Sequence, residues 1–156
     1  MKTRLVLIAV LGLVVGACSK DVAGPQGPPN THGAPQQVTL AGAELVLETY
    51  LVRDFMPFGA PPDGHPLQAT LGVRSVNGVP LPAGLTMPEA VVYFGSETWQ
   101  SVPEIIPTSD AGLLMGSSTG GPKWGPGVSA DVVVTLELDG RQILLGAAQR
   151  PIERTD

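Results

Sequence analysis

The stretch 130-ADVVVTLELDGRQILLGA-147 decides the fold of this chain. From Val132 to Leu138 every second side chain is apolar, which is the period of a β-strand that buries one face. Asp139-Gly140 follows, and such a pair readily takes the positive φ angles of a two-residue hairpin turn. The same alternation resumes in residues 141–147. The stretch therefore predicts an antiparallel hairpin with one apolar face.

Similar signals occur earlier in the chain. Residues 67–76 alternate between apolar and polar side chains, and Asn77-Gly78 then predicts a second hairpin whose short return strand is residues 79–81. The run 44–54 is interpreted as a strand because it is rich in β-branched and aromatic residues and lacks glycine and proline. Two shorter runs are also predicted to be strands, at residues 90–94 and 98–102.

The predicted fold class is all-β. From residue 41 onward the chain resembles a generic immunoglobulin-like or fibronectin-like β-sandwich of about seven strands. A small β-barrel is the alternative arrangement. Aromatic residues make up only 4% of the chain, so the core is expected to consist mainly of valine, leucine and isoleucine.

The N-terminus has the layout of an export signal. Lys2 and Arg4 are followed by an apolar run over residues 5–15 and by the small residues Gly16 and Ala17. A positive segment, a short apolar core and a small-residue cleavage site are typical of a secretory signal peptide. The apolar run is shorter than the roughly 20 residues that a transmembrane helix needs.

The order 15-VGAC-18 resembles the lipobox of bacterial lipoproteins, where an aliphatic and two small residues precede a cysteine. This resemblance implies that residues 1–17 are removed as a signal peptide and that Cys18 is lipidated. Two or more acyl chains anchor a protein stably, at about 0.8 kcal/mol per buried CH₂. Ser19 in place of an aspartate implies the outer membrane, facing the periplasm or the cell surface. An ordinary secreted protein with an incidental cysteine is the alternative.

Residues 18–40 are predicted to form the lipidated N-terminus and a flexible linker, and residues 41–156 the folded domain. The linker is dense in glycine and proline and nearly free of large apolar residues, a composition typical of disorder. As a semi-extended spacer of about 3.1 Å per residue, its residues 19–37 would hold the domain up to roughly 60 Å from the lipid. His32 is expected to be solvated within it.

The charge of the mature chain excludes several partner classes. Without residues 1–17 it carries seven basic and fourteen acidic residues, a formal charge of −7. Phosphate repulsion makes such a chain a poor nucleic-acid binder, and anionic lipid would repel it as well. The membrane is therefore expected as a partner only through the covalent lipid, with another envelope protein as the candidate second partner.

No catalytic or metal-binding motif is evident, and we predict a protein that is not an enzyme and has no cofactor. Asp54, Asp63 and His65 surround one loop, but histidines between prolines are usually solvated turn residues. Zinc ligands at characteristic spacing are lacking. The remaining metal hypothesis is Cu(I), which takes thioether and imidazole ligands. Its candidate ligands are His65 and three methionines, Met56, Met87 and Met115.

Residues 116–127 are interpreted as a long, flexible loop, and Lys123 and Trp124 are its candidate binding residues. Exposed tryptophans often anchor interfaces, although Trp124 could instead fold back over the open end of the domain. Trp99 lies in a strand-like run and is expected to pack. The leading hypothesis is a non-enzymatic interaction or structural domain. The alternative is a small-ligand or carbohydrate binding module that uses Trp124 and Trp99, followed by a periplasmic metal carrier.

Overall fold

The computed structural model describes residues 32–56 and 59–156. Within these residues the fold is all-β, which confirms the predicted class, and no helix is long and apolar enough to cross a membrane. The described residues form nine strands, where about seven were expected. They are β1 (Gln37–Leu40), β2 (Ala43–Asp54), β3 (Leu67–Ser75), β4 (Thr86–Phe94), β5 (Glu97–Ser101), β6 (Glu104–Ile106), β7 (Leu113–Gly121), β8 (Ser129–Leu138) and β9 (Arg141–Thr155).

The strands form one curled sheet in the order β5-β4-β8-β9-β2-β3-β7-β6, and β1 also pairs with β2. Strand β9 joins the two halves of this sheet. Up to Pro151 it runs antiparallel to β8, and from Ile152 to Thr155 it runs parallel to β2. All other pairs of neighbours are antiparallel.

A single apolar cluster fills the space between the two halves of the sheet. Its largest fully buried side chains are aliphatic, as predicted from the composition: Leu45, Leu51, Leu67, Leu71, Leu136, Leu145, Ile152, Val73, Val92, Val132 and Val134. Burial of each such side chain contributes about 1.5–3 kcal/mol to folding. The cluster therefore ties β2 and β3 to β4, β8 and β9.

The hairpin that decides the fold forms as predicted. Leu138 pairs with Arg141 across a two-residue turn. Asp139 and Gly140 take φ angles of 52° and 75° in this turn, and their positive φ matches the twist of the flanking strands. The valines of β8 that alternate toward the core are buried. The predictions for residues 44–54, 67–76, 90–94 and 98–102 are likewise confirmed, as β2 to β5.

The two edges of the curled sheet are consecutive in the chain. Strands β5 and β6 end the hydrogen-bonded order on opposite sides, yet only residues 102–103 separate them. Side chains bridge this seam: Ser101 Oγ lies 2.9 Å from Ser118 Oγ of β7, and the ring of Trp99 packs on Gly121. The fold is therefore intermediate between the sandwich and the barrel that the sequence suggests.

The predicted hairpin at Asn77-Gly78 is wrong, because residues 79–81 form no strand and β3 pairs with β2 and β7. The Asn77 side chain explains the difference. Its Oδ1 accepts a bond from the backbone N–H of Glu44 at 3.2 Å, and its Nδ2 donates to the Gly42 carbonyl at 2.9 Å. The asparagine thus ties the turn to the start of β2 rather than directing a return strand.

The predicted long loop over residues 116–127 is also wrong in its first half, which belongs to β7. The glycines there permit close approach rather than flexibility. A Cβ at Gly121 would lie 2.7 Å from the ring of Trp99, and one at Gly116 would lie 2.7 Å from the methyl group of Met87. Glycine inside a strand often marks such a contact. Only residues 122–128 remain as a loop.

The last part of the predicted linker, from residue 32 onward, lies among the described residues and packs on the domain. Strand β1 pairs with residues 43–46 of β2. Before it, the Pro35 carbonyl accepts a bond of 2.8 Å from the Gly146 N–H, and Ala34 is fully buried. His32 stacks on Tyr93 with ring centroids 3.6 Å apart, so it is not a freely solvated side chain. The predicted signal peptide and Cys18 lie outside the described residues.

Candidate functional site

Arg53, near the end of β2, connects the two loops that contain the candidate site residues predicted from the sequence. Its side chain is almost fully buried, at 4% exposure. Nε donates to the His65 carbonyl at 3.0 Å, and Nη1 donates to the carbonyls of Lys123 at 3.0 Å and Gly125 at 2.9 Å. Nη2 donates to the Asp63 carbonyl. Four backbone oxygens from two loops thus converge on one guanidinium.

This arrangement gives Arg53 a structural role. A guanidinium has five donors in a fixed plane, and here carbonyl dipoles accept four bonds from it. The loop over residues 122–128 and the loop that follows β2 are therefore fixed to one point. Polar groups occupied in this way are not available to a reacting substrate.

Phe55 packs at the same end of the molecule, against Arg53 and Arg154. Its ring lies under two guanidinium groups, with the Arg53 carbon 4.9 Å and the Arg154 carbon 4.0 Å from the ring centroid. Such cation–π contacts contribute about 0.5–2 kcal/mol each. Gly64 leaves room for the ring, because a Cβ there would lie 2.6 Å from it.

Trp124 packs into the domain and does not form an exposed contact. Its side chain is 8% exposed and belongs to the apolar cluster. The indole Nε1 donates to Glu97 Oε2 at 3.0 Å, and its ring lies 5.5 Å from that of Phe94. The alternative interpretation of this residue, a tryptophan folded over the end of the domain, is the one that the structure supports.

Lys123 stands at the surface beside Trp124 and is paired. Its Nζ lies 2.6 Å from Asp63 Oδ2. The hydrogen bond from Lys123 lowers the pKa of the Asp63 carboxyl below its usual value. Both side chains are exposed, so solvent screens this pair and limits its contribution to stability. A ligand of Lys123 would have to compete with Asp63.

The three polar residues around the first loop are brought close, but not as a catalytic triad. The Asp54 carboxylate accepts bonds from the Met56 N–H at 2.9 Å and from Thr155 Oγ1 at 3.1 Å. Asp63 is paired with Lys123, as described above. His65 interacts through its backbone, donating its N–H to the Asp54 carbonyl at 2.8 Å. These contacts do not align a nucleophile, a base and an orienting group, as nucleophilic catalysis requires.

The copper hypothesis is also unsupported by the placement of its residues. Met87 is buried in the core at 2% exposure, whereas Met56 is 50% exposed. Met115 lies on the outer face of β7, where it lines a groove. Among the described residues, no group of three or more histidine, cysteine or acidic side chains could hold a metal ion.

An open groove of about 260 Å³ crosses the outer face of β2, β3 and β7. Gly72 forms its floor, because it pairs with Glu48 on one side and Met115 on the other and has no side chain. We refer to it as the Gly72 groove. Its lining includes Glu48, Tyr50, Gly72, Arg74, Met115 and Arg150. The sequence signal for it was a glycine inside an alternating strand.

The charged residues of the Gly72 groove differ in their partners. Arg74 Nε lies 3.0 Å from both carboxylate oxygens of Glu48, and its Nη1 lies 3.3 Å from Asp110 Oδ2. Glu48 foremost, and then Asp110, raise the pKa of the Arg74 guanidinium. Arg150 donates instead to Thr49, from Nε to Oγ1 at 3.0 Å and from Nη2 to the carbonyl at 3.4 Å.

Comparison of the chain with protein families, with curated proteins and with solved structures gives no match. Its function is therefore inferred from its own residues and contacts. Of the sequence-predicted site residues, Lys123 and Trp124 lie in the described loop, and Cys18 lies outside the described residues.

Proposed function

We propose that this protein is a bacterial envelope lipoprotein whose β-domain binds or supports another envelope component without catalysing a reaction. The observation that carries the proposal is the order 15-VGAC-18 behind a short apolar run. Acylation of Cys18 would attach the domain to the membrane through two or more chains, which suffices for stable anchoring. The formal charge of −7 leaves the lipid as the main attachment.

The entry point of the chain into the fold supports a tethered domain. His32 stacks on Tyr93, and its Nε2 lies 3.5 Å from Asp131 Oδ2. From Cys18 to this point the chain is dense in glycine and proline. At about 3.1 Å per residue, this segment would span up to roughly 45 Å when extended. The domain would then stand clear of the lipid headgroups.

The two outer faces of the curled sheet support different roles. The chain enters across β4, β8 and β9, where His32 contacts Tyr93 and Pro35 bonds to Gly146. The Gly72 groove lies on β2, β3 and β7, on the other side of the apolar core. An attachment on one face leaves the other face free for a partner in the envelope.

A non-enzymatic role is supported by how the loop residues are used. Arg53 binds loop carbonyls, Lys123 pairs with Asp63, and Trp124 is packed. The small-ligand alternative loses its two tryptophans as exposed platforms, since Trp99 packs on Gly121. Its remaining support is the Gly72 groove.

Replacement of Cys18 tests the proposal. In a bacterial host, Cys18→Ala should abolish incorporation of labelled fatty acid and remove the mature protein from the detergent-soluble membrane fraction. Because cleavage depends on the acylated cysteine, the longer precursor should accumulate. Ser19→Ala is the matched control and should be acylated and cleaved normally. Normal labelling and partitioning of the Cys18→Ala protein would contradict the proposal.

A further inference from the structure

The Gly72 groove combines an apolar centre with one cationic side. Tyr50 is 43% exposed beside the groove, and Met115 lies across Gly72 from β2. Leu113 also lines it, 3.4 Å from where a Gly72 Cβ would stand. An aromatic ring, a thioether and an aliphatic side chain around a glycine floor favour an apolar ligand body.

The charge of the groove indicates which polar group such a ligand would carry. The guanidinium of Arg74 lies between Glu48 and Asp110, so its charge is compensated. Arg150 lines the groove and forms no ion pair with a carboxylate among the described residues. Its two bonds go to neutral oxygens of Thr49. A guanidinium bonded only to neutral oxygens, in an otherwise acidic domain, is complementary to an anion.

We propose that the Gly72 groove binds a small organic carboxylate with an apolar body. The carboxylate accepts hydrogen bonds from the Arg150 guanidinium, and the apolar body lies over Gly72 between Tyr50 and Met115. The groove of about 260 Å³ is slightly smaller than typical ligand pockets of about 300–1,000 Å³. A compact ligand and a dissociation constant of about 0.1–1 mM are therefore expected.

Ligand binding in the Gly72 groove does not depend on the lipid anchor. All nine strands lie between Gln37 and Thr155, so a chain that starts at Ser19 contains the whole sheet and needs no detergent. If this chain fails to bind the carboxylate, the lipoprotein proposal is unaffected. If the Cys18→Ala experiment contradicts the lipoprotein proposal, the proposed ligand binding in the groove is unaffected.

A titration with two matched probes tests the binding. 4-Phenylbutyrate carries the carboxylate, and 4-phenylbutan-1-ol has the same apolar body without the charge. In amide-detected NMR both should shift the signals of Thr70, Gly72 and Met115, and the carboxylate should bind about 10-fold more tightly. The proposal would be overturned if the shifts were confined to other residues, or if no shifts occurred at a probe concentration 10-fold above a dissociation constant of about 1 mM. Equal affinities for the two probes would also overturn it.

Variants of Arg150 test whether its charge binds the carboxylate of the probe. Arg150→Gln should weaken 4-phenylbutyrate about 10-fold and leave the alcohol unchanged, and Arg150→Lys should restore part of the loss. Arg141→Gln changes an exposed arginine at the far hairpin and should affect neither probe. Equal weakening of both probes by Arg150→Gln would mean that Arg150 only shapes the groove.

Two measurements keep the test decisive if Arg150→Gln does not fold. Tyr50→Ser removes an exposed wall and should weaken both probes alike. In the unmutated chain, raising the NaCl concentration should weaken only the carboxylate, because salt screens its attraction to Arg150. Salt-independent binding of 4-phenylbutyrate would contradict the assigned role of the guanidinium.

Discussion

At the scale of single residues, Arg53 shows how a buried charge can be stabilised without a carboxylate. Its four bonds reach carbonyls in two loops, and two of them belong to Lys123 and Gly125, at separations of 70 and 72 residues. A carbonyl exists at every position of a chain, so no residue type marks these partners in the sequence. For that reason the role of Arg53 could not be predicted from the sequence. The packing of Trp124 could be proposed as one of two interpretations, because its large ring is mostly apolar.

Replacing Arg53 by methionine should destabilise the domain by about 3 kcal/mol. The variant keeps part of the side-chain volume but leaves four loop carbonyls without their donor, and each buried unsatisfied acceptor is costly. Urea unfolding followed by tryptophan fluorescence measures the change, because Trp124 lies in one of the loops. Arg141→Met, at an exposed position, is the control and should change stability by less than about 0.5 kcal/mol. Similar midpoints for the two variants would contradict the role given to Arg53.

At the scale of elements, alternation predicted β3, β8 and the start of β9, because burial of one face leaves a period of two in the sequence. Strand β2 was predicted instead from its β-branched and aromatic residues and its lack of glycine and proline. Strand β1 was missed because four residues are too few to show a period and they follow a proline-rich segment. Residues 116–121 were not predicted as part of a strand, because the sequence does not distinguish a glycine that permits close packing from a glycine in a flexible loop.

The glycine interpretation of β7 gives an element-scale prediction. Gly121→Ala should destabilise the domain by about 1–3 kcal/mol, because the new methyl group would overlap the ring of Trp99 and push β5 away from β7. Gly72→Ala is the matched control in β3, where the nearest atom is 3.4 Å from the added Cβ. It should be close to neutral, since alanine is favoured over glycine within a strand.

Thermal unfolding of the two alanine variants separates these cases. A change in near-ultraviolet circular dichroism should accompany Gly121→Ala, because the environment of an indole ring changes. If Gly121→Ala were as stable as Gly72→Ala, the packing of Trp99 across the seam would not contribute to stability.

At the scale of the whole molecule, the segment before β1 is part of the fold. On the outer face of β8, Asp131, Val133 and Thr135 are buried, at 5–7% exposure. The chain crosses this side of the sheet: Ala34 is fully buried and Pro35 bonds to Gly146. The sequence places this segment in the linker because proline and glycine surround it, and its contacts with β9 are distant along the chain.

Removing that segment should therefore weaken the domain. A chain that starts at Gln37 keeps all nine strands but loses the contacts of residues 32–36, and it should be about 1–2 kcal/mol less stable than one that starts at Thr31. Denaturant unfolding of the two chains, each compared with a chain from Ser19, measures the difference. Equal stability of the Gln37 and Thr31 chains would show that the segment only lies on the surface.

The place of β9 in the sheet has a consequence for the timing of folding. It is the last of the nine strands in the described residues, yet it lies between β8 and β2, and Ile152 must meet Leu51 to close the core. Pairing across so much chain is slow. While the polypeptide is being made, its first eight strands lack the strand that joins them. Until β9 is present, β8 and β2 have no strand between them, so we expect the two halves of the sheet to close late in folding.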